Sequence, residues 1–146
     1  MREIRTEIEI AAPLTKVWSI LTDFDHWKDW NPIVNQAGGA ASAGSKLNIT
    51  MRGKDGKDAN KYMPVITTFE KPKSFRWRAK MMAGFLFTND KAFELEETAA
   101  GTRLIHTEAF SGMLVPLFWN KLEAGVSPML KSMNNALKTL AEKNPD

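Results

Sequence analysis

Between Ile33 and Gly112 the apolar residues recur at every second position through one short stretch after another, and beyond Pro116 they recur at every third or fourth. A period of two places alternate side chains on opposite faces of a strand, whereas a spacing of three to four draws a stripe along a helix. The chain therefore reads as strands followed by one long helix. Few architectures accept that order, because the sheet must offer a face on which the final helix can bury its stripe.

The opening segment already alternates, with Ile4, Thr6, Ile8 and Ile10 on one face and Arg5, Glu7 and Glu9 on the other. That is a half-buried strand. Ala11-Ala12-Pro13 then switches the period: Pro13 suits a helix start, and Leu14, Val17, Trp18 and Leu21 recur at helical spacing. Asp23 is placed to cap a second short helical turn holding Phe24, Trp27 and Trp30. Asn31-Pro32 ends it, since a residue before proline avoids helical backbone angles. Two short helices thus precede the main run of strands.

Within that run, Ile33 to Gln36 is a brief strand and Ala37 to Ser45 a small, flexible connection. Leu47, Ile49 and Met51 alternate with Asn48, Thr50 and Arg52, and Gly53 to Asn60 reads as a polar turn around the hairpin dipeptide Asp55-Gly56. Tyr62 to Glu70 is the next strand, with Pro64 marking a bulge or an edge. Phe75, Trp77 and Ala79 alternate with Arg76, Arg78 and Lys80, Phe93 and Leu95 with Glu94 and Glu96, and Ala100-Gly101 makes the last tight turn. Leu104, His106, Glu108 and Phe110 then share one face. Such consecutive hairpins predict an antiparallel meander. The closing stripe comprises Phe118, Leu122, Val126, Met129, Leu130, Met133, Leu137 and Leu140. Gly125-Val126-Ser127-Pro128 interrupts it, as a kink or as a fresh start with Ser127 as cap.

A chain of 146 residues matches the size of one domain, here spanning 1–146, and 43% hydrophobic with 25% charged residues is ordinary globular composition. No run of about 18 apolar residues occurs, and no basic region followed by an apolar signal core, so stable membrane insertion is not expected. The absence of cysteine removes disulfides, thiol catalysis and thiolate metal sites together, and points to a reducing, cytoplasmic setting. A net charge of +3, with Arg76, Arg78, Lys80 and Lys131 scattered, lacks the dense basic face that nucleic-acid binding needs.

Five motifs carry a resemblance across essentially the whole chain: Ile10-Ala11-Ala12-Pro13 leading to Val17-Trp18; Trp27-Lys28-Asp29-Trp30-Asn31-Pro32; Phe93-Glu94-Leu95; Gly101-Thr102-Arg103-Leu104; and Glu108-Ala109-Phe110-Ser111-Gly112. In that order they make the sequence similar to the START and birch-pollen-allergen superfamily (SRPBCC), in its bacterial polyketide cyclase/dehydrase-like branch. The resemblance implies an α+β helix-grip fold, a curved antiparallel sheet of six to seven strands around a long C-terminal helix, enclosing a cavity for a lipid, polyketide or other apolar small molecule. It implies no particular reaction, because one architecture serves unrelated functions. No cofactor is expected, and the sequence leaves the oligomeric state, monomer or dimer, open.

On that fold the inward-facing residues become the expected ligand contacts: Trp27, Trp30, Met51, Trp77, Phe93, Leu95, His106, Glu108, Phe110, Leu122, Val126, Met129, Leu130 and Met133. His106 and Glu108 share the parity of Leu104 and Phe110, so they are the candidate acid-base pair for a cyclase or dehydratase reaction. The plainer alternative has them hydrogen-bond one another, the backbone or water and only orient a ligand. The methionines suit a pocket that adapts its shape, or simply fill gaps in a core. Asp23, Asp25, His26 and Asp29 could be taken for a metal site, but acids near a helix start are expected from capping alone, and no metal is assigned. Gly39 to Lys46 lacks the order by which a phosphate loop places its lysine. The apolar tip from Met81 to Phe87 could serve as an entrance flap, a dimer or membrane contact, or the surface of a protein-interaction module.

Overall fold

The computed structural model describes residues 2–81 and 85–143. Met82, Ala83 and Gly84 of the apolar tip, and the side chain of Met81, lie outside the described residues. The elements run β1 (Arg2–Ile10), α1 (Leu14–Thr22), a 3-10 turn (Phe24–His26), α2 (Trp27–Trp30), β2 (Val34–Gly38), β3 (Asn48–Arg52), β4 (Asp58–Tyr62), β5 (Val65–Glu70), β6 (Ser74–Met81), β7 (Phe87–Thr98), β8 (Gly101–Ser111) and α3 (Val115–Lys143).

Five strands form one antiparallel sheet in the order β1-β8-β7-β6-β5, and three form a smaller one in the order β2-β3-β4. The α+β architecture with a long C-terminal helix is as the resemblance implies, but its one sheet of six to seven strands is eight strands in two sheets. Two local causes account for the difference. Pro64 has no amide hydrogen for a ladder, so the segment read as one strand from Tyr62 divides into β4 and β5. The Pro64 carbonyl instead accepts the Leu47 amide at 2.9 Å, and the Ile66 amide donates to the Ser45 carbonyl at 2.9 Å, which stitches the two sheets at that corner. The other cause is β4 itself: Asp58 to Lys61 are all exposed, so no buried face imposes an alternating pattern on what reads as a turn.

At Gly101 the backbone has φ 141°, and an added Cβ would meet the Ile10 carbonyl oxygen at 2.4 Å. Only glycine lets the β7–β8 turn pass so close to the end of β1.

The helix α3 runs unbroken through Gly125 and Pro128. Pro128 is exposed, and the Ala124 carbonyl it leaves without a donor is on an exposed residue, where water can serve. No helix among the described residues is long and apolar enough to cross a membrane.

The main core lies between the large sheet, α1, α2 and the second half of α3. Phe75 stacks on Phe93 with centroids 4.8 Å apart, and Trp27 meets Phe24, Trp77 and Phe93 at 5.3–6.3 Å. Such aromatic contacts add about 0.5–1.5 kcal/mol each beyond the burial of area. A smaller cluster of Ile4, Phe110, Val115 and Leu130 sits beneath the first half of α3, with Phe87, Trp119, Leu122 and Val126 packed on it.

Candidate functional site

The two halves of α3 differ in how they meet the rest of the protein. From Leu130 onward Leu130, Met133, Asn134, Leu137 and Ala141 are buried, whereas between Pro116 and Met129 no residue is. In that first half Phe118, Lys121, Leu122, Gly125, Val126 and Met129 fall on one stripe and form a wall of an open cleft of about 730 Å³. Pro32 and Ile33 after α2, Arg52, Gly53 and Lys54 at the end of β3, and Phe87 and Leu114 complete it. This volume is in the range of sites that hold drug-sized molecules.

Why the cleft stays open follows from its residues. Gly125 presents no side chain, and a Cβ built there would touch nothing within 4 Å. The Lys54 and Lys121 side chains are amphipathic, so their stems can cover apolar surface while the ammonium groups reach water.

Of the expected contacts, Leu122, Val126 and Met129 line this cleft. Trp27, Trp77, Phe93, Leu95 and Met133 are packed into the main core, with Trp30 and Met51 half-buried at its margin. Phe110 and Leu130 belong to the smaller cluster. His106 and Glu108 lie on the inner sheet face but not in the cleft lining. Phe87 links the two zones: it lines the cleft and touches Phe110 at 5.7 Å, while Phe110 pairs in register with Asn89.

The inner face carries a polar row. Trp77 on β6, Lys91 on β7 and Glu108 on β8 stand side by side by register. The Lys91 ammonium is 3.6 Å from Glu108 and 5.8 Å above the rings of both Trp77 and Phe93. Asn89 Nδ2 donates to the other Glu108 oxygen at 2.8 Å. Lys91 is 6% and Glu108 13% exposed, so each charge relies on the other in a setting with little water.

One register step along, His106 is fully buried and stacks on Phe93 at 4.3 Å. Thr6 Oγ1 donates to the His106 carbonyl at 2.9 Å, Asn134 Nδ2 donates to Thr6 Oγ1 at 2.8 Å, and Asn134 Oδ1 faces His106 Nδ1 at 2.8 Å. This chain of donors assigns the hydrogen to Nδ1 and leaves the Nε2 lone pair free. Burial, and then the positive charge of Lys91, hold His106 well below its ordinary pKa, against a smaller opposing effect of Asn134. The imidazole is neutral. Its Nε2 and the indole nitrogen of Trp77 are buried with no hydrogen-bond partner among the described residues. Tyr62, opposite Ile49 across β3–β4, has its phenol pushed up by burial and by Glu108.

The acidic segment forms a surface pair: Asp23 binds His26 Nδ1 at 2.8 Å and raises its pKa, and it makes no side-chain cap. Among the described residues no group of three His, Asp or Glu side chains converges as a metal site would require.

The sequence reading missed Lys91, Asn89 and Asn134. Lys91 and Asn89 continue the alternation of Phe93 and Leu95 backwards, and an ionisable residue in phase with apolar ones was the available signal. Asn134 is helically spaced from Leu130 and Leu137, a polar residue inside an apolar stripe.

The sequence matches the protein family described as polyketide cyclase/dehydrase and lipid transport over residues 1–142. No curated protein matches it. Among solved structures, the Zhui aromatase/cyclase from Streptomyces sp. R1128 is similar with a TM-score of 0.79 at 18% identity, over 97% of this chain and 94% of that one. A START superfamily protein from Mycobacterium smegmatis is similar with a TM-score of 0.77 at 17% identity, over 97% of each chain. The di-domain aromatase/cyclase StfQ of the steffimycin biosynthetic pathway has a TM-score of 0.79 at 12% identity, and this chain, 97% of it aligned, spans about half (51%) of its length. At these identities the likeness is one of fold.

Proposed function

The chain belongs to the polyketide cyclase/dehydrase and lipid transport family, and from that premise we propose that it binds a hydrophobic small molecule in the cleft beneath the first half of α3. One observation carries this reading: a 29-residue helix packs its second half tightly and leaves an apolar stripe of its first half facing about 730 Å³ of open space. A helix stripe of Phe118, Leu122, Val126 and Met129 left beside water is costly unless something apolar covers it, at about 25 cal/mol for each Å². A small apolar ligand is the occupant whose size fits.

The test is titration with the neutral fluorescent probe N-phenyl-1-naphthylamine, on wild type and on Leu122→Trp. Saturable binding to the wild type that is lost in the filled variant, with the melting temperature little changed, is the expected result. Equal binding by both, or none by either, overturns the proposal.

A second reading, catalysis, is favoured by the free Nε2 lone pair of a neutral, buried His106 beside the Lys91–Glu108 pair. On this reading His106 Nε2 takes a proton from the substrate and the imidazolium so formed returns it to the departing or newly formed oxygen in a cyclisation or dehydration, with the Glu108 carboxylate stabilising the charge on His106 between the two transfers. A poly-β-ketone substrate that is turned over as fast by the His106→Gln/Glu108→Gln double variant as by wild type removes it.

A further inference from the structure

The cleft lining is apolar except for three residues, and all three are cations: Arg52, Lys54 and Lys121. Lys121 is the informative one. It sits inside the helix stripe that faces the cleft, one turn from Phe118 and from Gly125, at a position where the pattern alone would place another apolar side chain. None of the eight ion pairs among the described residues involves any of the three. Arg52 Nε donates to the Asn35 amide oxygen at 2.6 Å, and Asn35 Nδ2 donates on to Asp58, opposite Arg52 across β3–β4, so Arg52 is the most screened of the three and Lys54 and Lys121 carry the argument.

The nearby acids Asp55 and Asp58 stay outside the cleft lining and are held by neutral amides. Asp55, in the same hairpin as Lys54, accepts the Lys57 backbone amide at 3.0 Å, and Asp58 accepts Asn35 Nδ2 at 2.9 Å. No acidic residue lines the cleft.

Resting on the binding reading above, we infer that the ligand is an amphipathic anion, with an apolar body along the stripe of α3 and a carboxylate or phosphate at the Arg52, Lys54 and Lys121 end. Low-dielectric walls strengthen the attraction between such a headgroup and cations set at their rim, relative to open water. A cationic amphiphile with the same tail is repelled, so the cleft selects among apolar molecules by charge sign.

Binding of decanoate, decanol and decyltrimethylammonium, which share one chain length, is measured by calorimetry on wild type, Lys54→Glu/Lys121→Glu and Leu122→Trp. Decanoate is expected to bind wild type about tenfold more tightly than the cation, and the order to reverse in the double variant. If decanol and decanoate bind equally, both variants considered, and only Leu122→Trp abolishes binding, the cleft reading stands and the anion inference falls. If none of the three binds wild type, both fall. Vesicles of phosphatidylcholine with phosphatidylglycerol separate the sources: flotation of the protein with vesicles, without binding of monomeric decanoate, overturns the inference in favour of a surface contact.

Discussion

The second half of α3 is bolted to the protein and the first half is not. Beyond Leu130 the helix buries Met133, Leu137 and Ala141 in the main core. It also ties itself to the N-terminal strand: Glu142 accepts the Ala11 amide at 2.8 Å, and Lys138 donates to the Glu9 carbonyl at 2.9 Å. Before Met129 the same helix has apolar residues of similar kind, yet Leu117 is 74% exposed and the inward stripe faces the cleft. Composition does not separate the halves. What separates them is how complete the facing layer is: the main sheet and α1 cover the second half, whereas under the first half only the small cluster of Ile4 and Phe110 meets Trp119, Leu122 and Val126, and the rest of the stripe borders the cleft. One continuous helix can thus be both a structural support and the wall of a binding site.

This contrast gives a graded set of expectations. Leu137→Ala removes a fully packed side chain and should cost about 3 kcal/mol in urea unfolding, while Leu122→Ala, half-buried over the cleft, should cost about 1 kcal/mol. Equal losses would mean the halves are equally packed and the contrast is false. Asn134→Leu should cost about 2 kcal/mol, because His106 Nδ1–H loses its acceptor and the Thr6 hydroxyl oxygen its donor in the core. The companion change Thr6→Val in the same background should then add little, since both act on one network.

The pH dependence sharpens the same point. His106 has a folded-state pKa depressed from 6.5, so the unfolded chain takes up its proton first as pH falls. Its contribution is fully present above pH 6.5 and is lost below it, with a slope of up to about 1.4 kcal/mol per pH unit until the folded imidazole titrates. Stability curves at pH 7 and pH 5 should therefore diverge for wild type more than for His106→Gln. His26 has the opposite sign, its pKa being raised by Asp23, and it is too exposed to offset the loss. The smallest expected effect is a gain: Gly125→Ala should stabilise by about 0.5–1 kcal/mol, since the added methyl meets no atom and removes a flexible residue from a helix interior. Loss of stability there would show that the helix is not regular at Gly125.

Much of this was legible in the residues. Alternation located β1, β6, β7 and β8, and helical spacing located α1 and α3, because each has one strongly buried face. The strand β4 was invisible for the converse reason, with Asp58, Ala59, Asn60 and Lys61 all facing water. The continuity of α3 past Pro128 could not be read either, since a proline on the exposed side and one that breaks a helix look alike in sequence. For the candidate site, the period identified which side chains turn inward but not which of them find a neighbour. Trp77, Phe93 and Leu122 share that inward direction. Only the packing distinguishes the first two, locked among other rings, from the third, which borders the cleft.

The pairing of β1 with β8 has a consequence for how the chain is made. Thr6 lies opposite His106, one hundred residues later, and every residue of β1 finds its ladder partner in that same strand. A ribosome delivers β1 first and must hold it unzipped, with Ile4, Ile8 and Ile10 uncovered, until β8 has emerged. The last helix, which also clasps β1, arrives later still. Long-range closure of this kind is slow and leaves a sticky ribbon exposed during synthesis, so the growing chain carries an aggregation hazard until β8 and α3 close over it.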